Sequence, residues 1–395
     1  MPSRKPQTLS ICLVAGCIFT TLGVRSLALP LRVHELGGSR VQVGLLFSVA
    51  TITAAGLSLP AGFLADRIGK RLTLLVSIGI GAVSQLGLGL ADSVPPLYLW
   101  QALGGVSFAA SQAAMMAALA DAVPGNRLGR AIGWLTLAFQ VGLLVGPAAA
   151  GLALQWTSLR EAMALSSGLF GAALLLTLVG VRATPRLRTG WNLAAPLRAI
   201  AGRRAFVVAG VCLLAATMLW GTLQAYLPLF GKEQLRLTEA QIGSMIAIQA
   251  LANGLARIPG GRLVDRLTKR GPLVLAGVAI FSLSLVVLPH LDGFWPTTAL
   301  LALTVPVMAT VYLALGVLFT SLSTPQTRGV AMGVYGTVLY LGLGLGPAVF
   351  GAVMERAGYA AGFTACAAAG LALAAIAALI RSERLVPSTS RRLAA

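Results

Sequence analysis

Runs of about 20 or more mostly apolar residues alternate with short polar segments along the whole chain of 395 residues. An α-helix needs about 20 such residues to cross the hydrocarbon core of a bilayer. The pattern therefore predicts twelve transmembrane helices. Their approximate bounds are 9–31, 41–63, 72–92, 97–120, 129–155, 160–182, 205–230, 239–262, 272–290, 296–322, 327–353 and 358–380.

The glycine, proline and charged residues that punctuate these runs repeat after about half the chain. One set returns 199 residues later: Pro60, Gly62, Asp66, Arg67, Lys70 and Arg71 correspond to Pro259, Gly261, Asp265, Arg266, Lys269 and Arg270. A second set returns 200 residues later: Gly133, Gly142, Gly146, Pro147 and Gly151 correspond to Gly333, Gly342, Gly346, Pro347 and Gly351. Repeated bundles of membrane helices are typical of secondary transporters.

The repeat predicts the domain organisation. We expect an all-α membrane protein whose twelve transmembrane helices form two pseudo-symmetric six-helix bundles. The N-terminal bundle covers residues 1–182 and the C-terminal bundle covers residues 205–381. A cytoplasmic linker, residues 183–204, joins them, and residues 382–395 form a cytoplasmic tail.

Composition and charge agree with a membrane protein and exclude other classes. Hydrophobic residues make up 57% of the chain and charged residues 10%, and the mean hydropathy is +0.86, which does not suit a soluble surface. Most of the 30 Lys and Arg residues follow even-numbered spans. The positive-inside rule therefore predicts that both termini are cytoplasmic, and we expect the protein in the cytoplasmic (inner) membrane. Arg257 is counted with these cytoplasmic residues. The basic loops are short and separate, so we expect no nucleic-acid partner.

No constellation for catalysis or metal binding is found. The two histidines, His34 and His290, fall at the ends of spans, and the four cysteines have no metal-type spacing. We therefore expect neither an enzyme nor a cofactor.

The segment from Gly62 to Arg71, between the second and third spans, reads Gly-Phe-Leu-Ala-Asp-Arg-Ile-Gly-Lys-Arg. It resembles the Gly-x-x-x-Asp-Arg-x-Gly-Arg/Lys-Arg signature of the major facilitator superfamily, and residues 261–270 are a weaker copy. The resemblance implies the major facilitator fold and a loop that latches the two halves while the cytoplasmic side is closed. From the residues themselves, we expect Gly62 where one helix end presses on another and Asp121 paired with a loop arginine. The alternative is that these charges only set topology.

The fifth span carries a second element. Gly133, Gly142, Gly146, Pro147 and Gly151 fit the Gly-x8-Gly-x3-Gly-Pro-x-x-Gly-Gly pattern, with Ala150 in place of one glycine. This element resembles that of exporters in the same family that work as drug/proton antiporters, whereas packing alone is the alternative. We assign the conformational switch to Gly62, Asp66, Arg67, Arg71, Asp121, Asp265, Arg266, Gly146 and Pro147.

The chain also departs from those exporters. Their fourth helix usually carries an arginine where this chain has Gln101. All eleven acidic residues fall in loops or at span ends, whereas a proton-relay carboxylate is expected near the middle of the bilayer. A coupling proton is implied by the resemblance alone and is a poor fit to these residues.

Arg25 lies within the first span, about six residues from its end. Either it faces a central cavity, which would favour an anionic substrate group, or its long side chain extends to the membrane surface. Other cavity candidates are amides and aromatics on otherwise apolar faces; the alternative role for each is helix packing, worth about 0.6 kcal/mol on average. The full substrate-binding set is Arg25, Phe108, Gln112, Gln140, Trp220, Gln224, Gln249, Asn253, Tyr312 and Tyr340.

These observations predict a monomeric secondary active transporter in the lipid bilayer of the cytoplasmic membrane. It would move a small organic solute by alternating access, with efflux of an amphiphilic compound or drug as the favoured direction because of the fifth-span element. Uptake of an anionic metabolite is the first alternative. A membrane protein that senses or scaffolds without flux is the second.

Overall fold

The computed structural model describes residues 5–124, 127–182, 204–323 and 328–380. This part of the chain contains twelve α-helices, one short 3-10 helix (Leu288–His290) and no strand. The first ten are α1 Lys5–Glu35, α2 Arg40–Ile68, α3 Lys70–Leu90, α4 Val94–Ala122, α5 Leu128–Ala153, α6 Leu159–Gly180, α7 Arg204–Glu233, α8 Glu239–Arg266, α9 Gly271–Val287 and α10 Phe294–Ser321. The stretch Arg328–Ile380 forms two more, α11 before Gly358 and α12 after it, because Gly358 has a φ of 81° that interrupts the helix.

Every α-helix except α8 has the length and composition of a membrane span, as the hydropathy pattern predicts. Ten segments are long and apolar enough to cross a membrane, and one of them, Val330–Leu379, contains both α11 and α12. Only α8 is not among them. Its polar side chains, discussed below, explain this difference.

Helix starts on one side of the bundle are fixed by local hydrogen bonds that recur in both halves. Ser39 and Thr238, which are 199 residues apart, each form a capping box with a glutamine three residues later. Ser158 does the same with Glu161 at the start of α6. Such caps satisfy free N–H groups of the first helical turn. We call this side, where α2, α6 and α8 begin, the Arg40 face, and the opposite side the Asp121 face.

Each half is a six-helix bundle with the same helix neighbours. In the first half α1 packs on α5 and α6, and α3 packs on α4 and α6. In the second half α7 occupies the place of α1: it packs on α11 through Gly342 and Gly346, and on α12 through Cys366 and Gly370. The predicted two-bundle major facilitator fold is confirmed. The predicted linker, residues 183–204, and the tail fall almost wholly outside the described residues, so their boundaries stay a prediction.

Candidate functional site

Two matching close approaches join the halves near the Arg40 face. A Cβ at Gly44 of α2 would collide with the carbonyl group of Pro347 on α11. A Cβ at Gly243 of α8 would collide with the carbonyl oxygen of Pro147 on α5. Gly44 and Gly243 are 199 residues apart and the two prolines 200 apart, so one pseudo-symmetric contact is made twice. Only glycine permits backbones to approach this closely.

The fifth-span element builds these contacts and also packs α5 within its own half. Gly142 lies against Phe19 of α1, and Gly146 lies against Thr20 and Gly23. The next glycine, Gly151, faces α8 of the other half. Packing is therefore a role of this element in the structure, and its bearing on transport direction stays a prediction.

A polar cluster lies beside the α2 and α11 contact on the Arg40 face. Glu233, at the end of α7, accepts hydrogen bonds from Arg40 Nη2 at 2.6 Å and from the Tyr359 hydroxyl at 3.0 Å. His34 Nδ1 is 3.3 Å from the same carboxylate. Arg40 also donates its Nη1 to the carbonyl oxygen of Met354 at 3.0 Å. These bonds tie α2 of the first half to α7, α11 and α12 of the second.

Four of the predicted substrate-binding residues meet between the halves near the middle of their helices. The rings of Phe108 and Tyr340 are in edge contact, with centroids 5.8 Å apart. Gln140 Nε2 donates to Asn253 Oδ1 at 3.1 Å. These pairs show that the predicted residues are brought together across the interface, while substrate contact by them stays a prediction.

A cavity of about 270 Å³ lies in the second half, next to this level. Trp220 of α7 and Tyr312 of α10, both predicted site residues, line it. Tyr335 of α11 and Arg257 of α8 line it as well. None of the lining residues that the structure describes is acidic. The walls are otherwise mostly apolar, which is typical of pockets for small organic molecules.

The sequence-based set of site residues lacks Tyr335 and Arg257, and Arg257 is the charged one of the two. It was assigned to the cytoplasmic basic residues, whereas it lies within α8, nine residues before the end of that helix. A signal was present in the sequence, because Gln249, Asn253 and Arg257 recur at four-residue intervals and so share one helix face. This polar stripe also explains why α8 alone is not apolar enough to count as a membrane span.

The other predicted amides have different surroundings. Gln249 is buried, and its Nε2 has no hydrogen-bond partner in the described residues. The Oε1 of Gln112 is also buried without a partner there. Gln224 is half-buried on α7. Buried amide atoms without protein partners are groups that a ligand or water can satisfy.

Arg25 is held inside the first bundle. Its side chain is buried, Nη1 donates to Gln101 Oε1 at 3.1 Å, and the guanidinium lies beside Gly104. The side chain of Arg25 therefore does not extend to the membrane surface. It does not line the cavity described above either. Gln101, which stands where related exporters have an arginine, is the acceptor that makes this burial tolerable.

At the Asp121 face the loop contacts differ from those expected. Asp121 pairs with Lys70 and not with Arg67 or Arg71, because Lys70 is the buried cation at the start of α3. Arg71 instead donates to the carbonyl oxygen of Leu178 at 2.6 Å, which ties α3 to α6.

The expected close helix contact at Gly62 is wrong for this structure, because a Cβ there would meet no atom of the described residues within 4 Å. Arg67 lies over the ring of Phe63, and Asp265 and Arg266 are exposed. The side chain of Asp66 lies outside the described residues.

The acidic side chains are distributed as predicted. Every one that the structure describes, from Glu35 to Glu355, lies at or near a helix end or between helices. The described residues include no group of three or more His, Cys, Asp or Glu that would suit a metal ion.

Curated proteins similar to this chain include resistance proteins of bacteria. Multidrug resistance protein 1 and Multidrug resistance protein 2 of Bacillus subtilis (strain 168) are 28% and 29% identical over 149 and 153 residues, 38% of each chain. Quinolone resistance protein NorA of Staphylococcus aureus (strain MRSA252) is 25% identical over 134 residues, 34% of each chain. The chain thus spans little more than a third of these relatives.

Solved structures share the fold over nearly the full length. A bacterial homolog of the human lysosomal transporter Spinster, in an inward-facing and unoccupied conformation, superposes with a TM-score of 0.77 at 16% identity and covers 96% of each chain. The nucleoside transporter NupG superposes with a TM-score of 0.77 at 15% identity, covering 96% of this chain and all of the other. A family model described as Major Facilitator Superfamily matches residues 11–238 and 211–394 of this chain. The chain therefore belongs to the Major Facilitator Superfamily, as a multi-pass membrane transporter and not an enzyme.

Proposed function

We propose that this transporter exports a small amphiphilic organic compound across the cytoplasmic membrane by alternating access. The observation that carries the proposal is the mostly apolar cavity with a few polar groups, set beside an interface whose contacts are concentrated at the Arg40 face. Such a cavity suits an amphiphile, because apolar walls bind its body and the polar side chains fix its orientation. The names of the drug-resistance relatives favour efflux.

In this proposal the structure represents a state closed at the Arg40 face. The paired Gly44 and Gly243 contacts and the Glu233 cluster would separate when the halves rock to open that face. The Asp121 face would be cytoplasmic, together with both termini, because the basic loops lie on that side. A cysteine-specific, membrane-impermeant reagent applied to intact cells tests this orientation: Asp292→Cys, on the Arg40 face, should react, and Asp265→Cys should not.

Coupling to a proton through a mid-membrane carboxylate is not supported by the described acidic residues. Uptake of an anionic metabolite stays the second candidate, and the cation in the cavity, Arg257, is the observation that favours it.

Transport direction is tested in cells that produce the protein. With the neutral dye N-phenyl-1-naphthylamine, export predicts lower steady-state accumulation than in cells without the protein. Trp220→Ala, which removes a cavity wall, should restore accumulation, whereas Trp295→Ala is the matched control because Trp295 is exposed and outside the cavity. Equal accumulation with and without the protein would contradict export of this class. Protein-dependent entry of radiolabelled benzoate would favour the uptake alternative.

A further inference from the structure

We propose that the cavity in the second half recognises a carboxylate or similar monoanionic group through Arg257, and that the substrate is an aromatic or apolar acid. This inference rests on the proposed transport function for its physiological meaning, but the binding site itself does not depend on the direction of transport.

Arg257 is a cation without an acidic partner among the described residues. Among the described residues its buried Nε has no hydrogen-bond partner, and none of the six ion pairs found there includes it. Arg257 lies about 14 Å from the end of α8 at 1.5 Å per residue, so it is well inside the helix. A cation at such depth is costly, and membrane proteins keep one there when it meets a partner or a substrate.

The fold itself does not require this cation. The equivalent position of the first half, 199 residues earlier, is Ser58. The Ser58 hydroxyl donates to the carbonyl oxygen of Ala54 in its own helix at 2.6 Å. The pseudo-symmetric helix α2 thus forms with a small neutral residue at the equivalent position. Arg257 differs from Ser58 in that it lines a cavity.

Arg25 shows what a packing arginine looks like in the same protein. Its Nε is likewise buried without a partner among the described residues, but its Nη1 donates to Gln101 inside a bundle and lies beside the backbone of Gly104. Arg257 instead shares a cavity with Trp220, Tyr312 and Tyr335. A guanidinium presents donors that match a carboxylate in a planar, bidentate way.

The remaining walls and the size of the cavity define the rest of the ligand. Trp220, Tyr312 and Tyr335 offer aromatic surface, and Ala309, Leu339 and Leu343 offer aliphatic surface. The 270 Å³ volume corresponds to about nine water molecules at roughly 30 Å³ each. A compact acid with one ring fits these dimensions, whereas a polyanion would lack further cations among the lining residues.

The test compares benzoate with benzamide, which has nearly the same shape but no charge. Binding of each is measured by titration calorimetry on the purified full-length protein in detergent. We expect benzoate to bind about tenfold more tightly, because a hydrogen bond to a charged group is stronger than one between neutral groups. Arg257→Gln should bring the two affinities within about twofold, and Arg257→Lys should keep a preference for benzoate. Arg262→Gln, an exposed position on the same helix outside the cavity, should leave the tenfold ratio unchanged.

Equal affinity of the unmodified protein for benzoate and benzamide would overturn the inference without any variant. So would an unchanged ratio in a folded Arg257→Gln protein. The outcome is separable from that of the transport proposal. If the protein prefers benzoate but does not export the dye, the carboxylate site is supported and the export proposal is contradicted. If the protein exports the dye but does not prefer benzoate, only the proposed ligand class is contradicted.

Discussion

Replacing Gly44 with alanine should open the Arg40 face. The added Cβ would meet the carbonyl oxygen of Pro347 and the hydroxyl of Tyr226 far inside van der Waals distance, and the Pro347 carbonyl carbon at 2.8 Å. A helix backbone cannot move aside as a flexible side chain can, and overpacking of this kind costs about 1–3 kcal/mol. The clash exists only while α2 and α11 are in contact. The ratio of closed to open molecules should therefore fall by roughly 5- to 150-fold.

The assay is a distance distribution between spin labels at positions 160 and 292. Both residues are exposed on the Arg40 face, one in each half, and the labels are placed in a background without the native cysteines. Gly44→Ala should add or enlarge a population at longer distance, and adding Gly243→Ala should enlarge it further because that site is separate. Gly56→Ala is the matched control on the same helix, since a Cβ there meets no atom within 4 Å in the part of the chain that the structure describes. If Gly44→Ala and Gly56→Ala give the same distribution, the proposed closure by backbone contact is refuted.

Three further predictions concern charged residues. Glu233→Gln should weaken the cluster at the Arg40 face by about 1.5–3 kcal/mol and increase the long-distance population in the same spin-label assay; an unchanged distribution would count against it. Asp121→Asn should lower the melting temperature in detergent, because it leaves the buried Lys70 unpaired, whereas Asp265→Asn, at an exposed position, should not; equal melting temperatures would contradict the pairing. Arg25→Gln should also lower the melting temperature but leave the ratio of benzoate to benzamide affinity unchanged. Equal affinities for the two ligands in this variant would contradict the placement of Arg25 outside the cavity.

The fold was predictable from the sequence because its signals are global. Apolar runs indicate membrane spans, and the recurrence of Asp66 and Arg67 as Asp265 and Arg266 indicates the repeat. Neither signal depends on how the helices pack. The glycine element was equally readable: small residues at Gly142 and Gly146 imply a close neighbour, and α1 is that neighbour in the structure.

The site was less predictable because it depends on how each helix is rotated about its axis. Arg257 was grouped with the cytoplasmic arginines, since a position near the end of a span does not tell which face it occupies. Asp121 pairs with Lys70 and not an arginine because side-chain pairing follows the local geometry of α3 and α4. Arg25 and Arg257 are both arginines within membrane helices, and only the packing distinguishes the one held by Gln101 from the one in a cavity.

The central claim is that the halves must separate at the Arg40 face during each transport cycle, and a reversible cross-link tests it most directly. The backbone N–H of Arg40 donates to Glu355 Oε2 at 2.8 Å, so positions 40 and 355 are neighbours across the halves, and a short bis-methanethiosulfonate reagent can join cysteines placed there. The account predicts that the reagent stops saturable solute flux by the Arg40→Cys, Glu355→Cys protein in liposomes, in a background without the native cysteines, and that reduction restores the flux. Undiminished flux through the fully cross-linked protein would contradict the account.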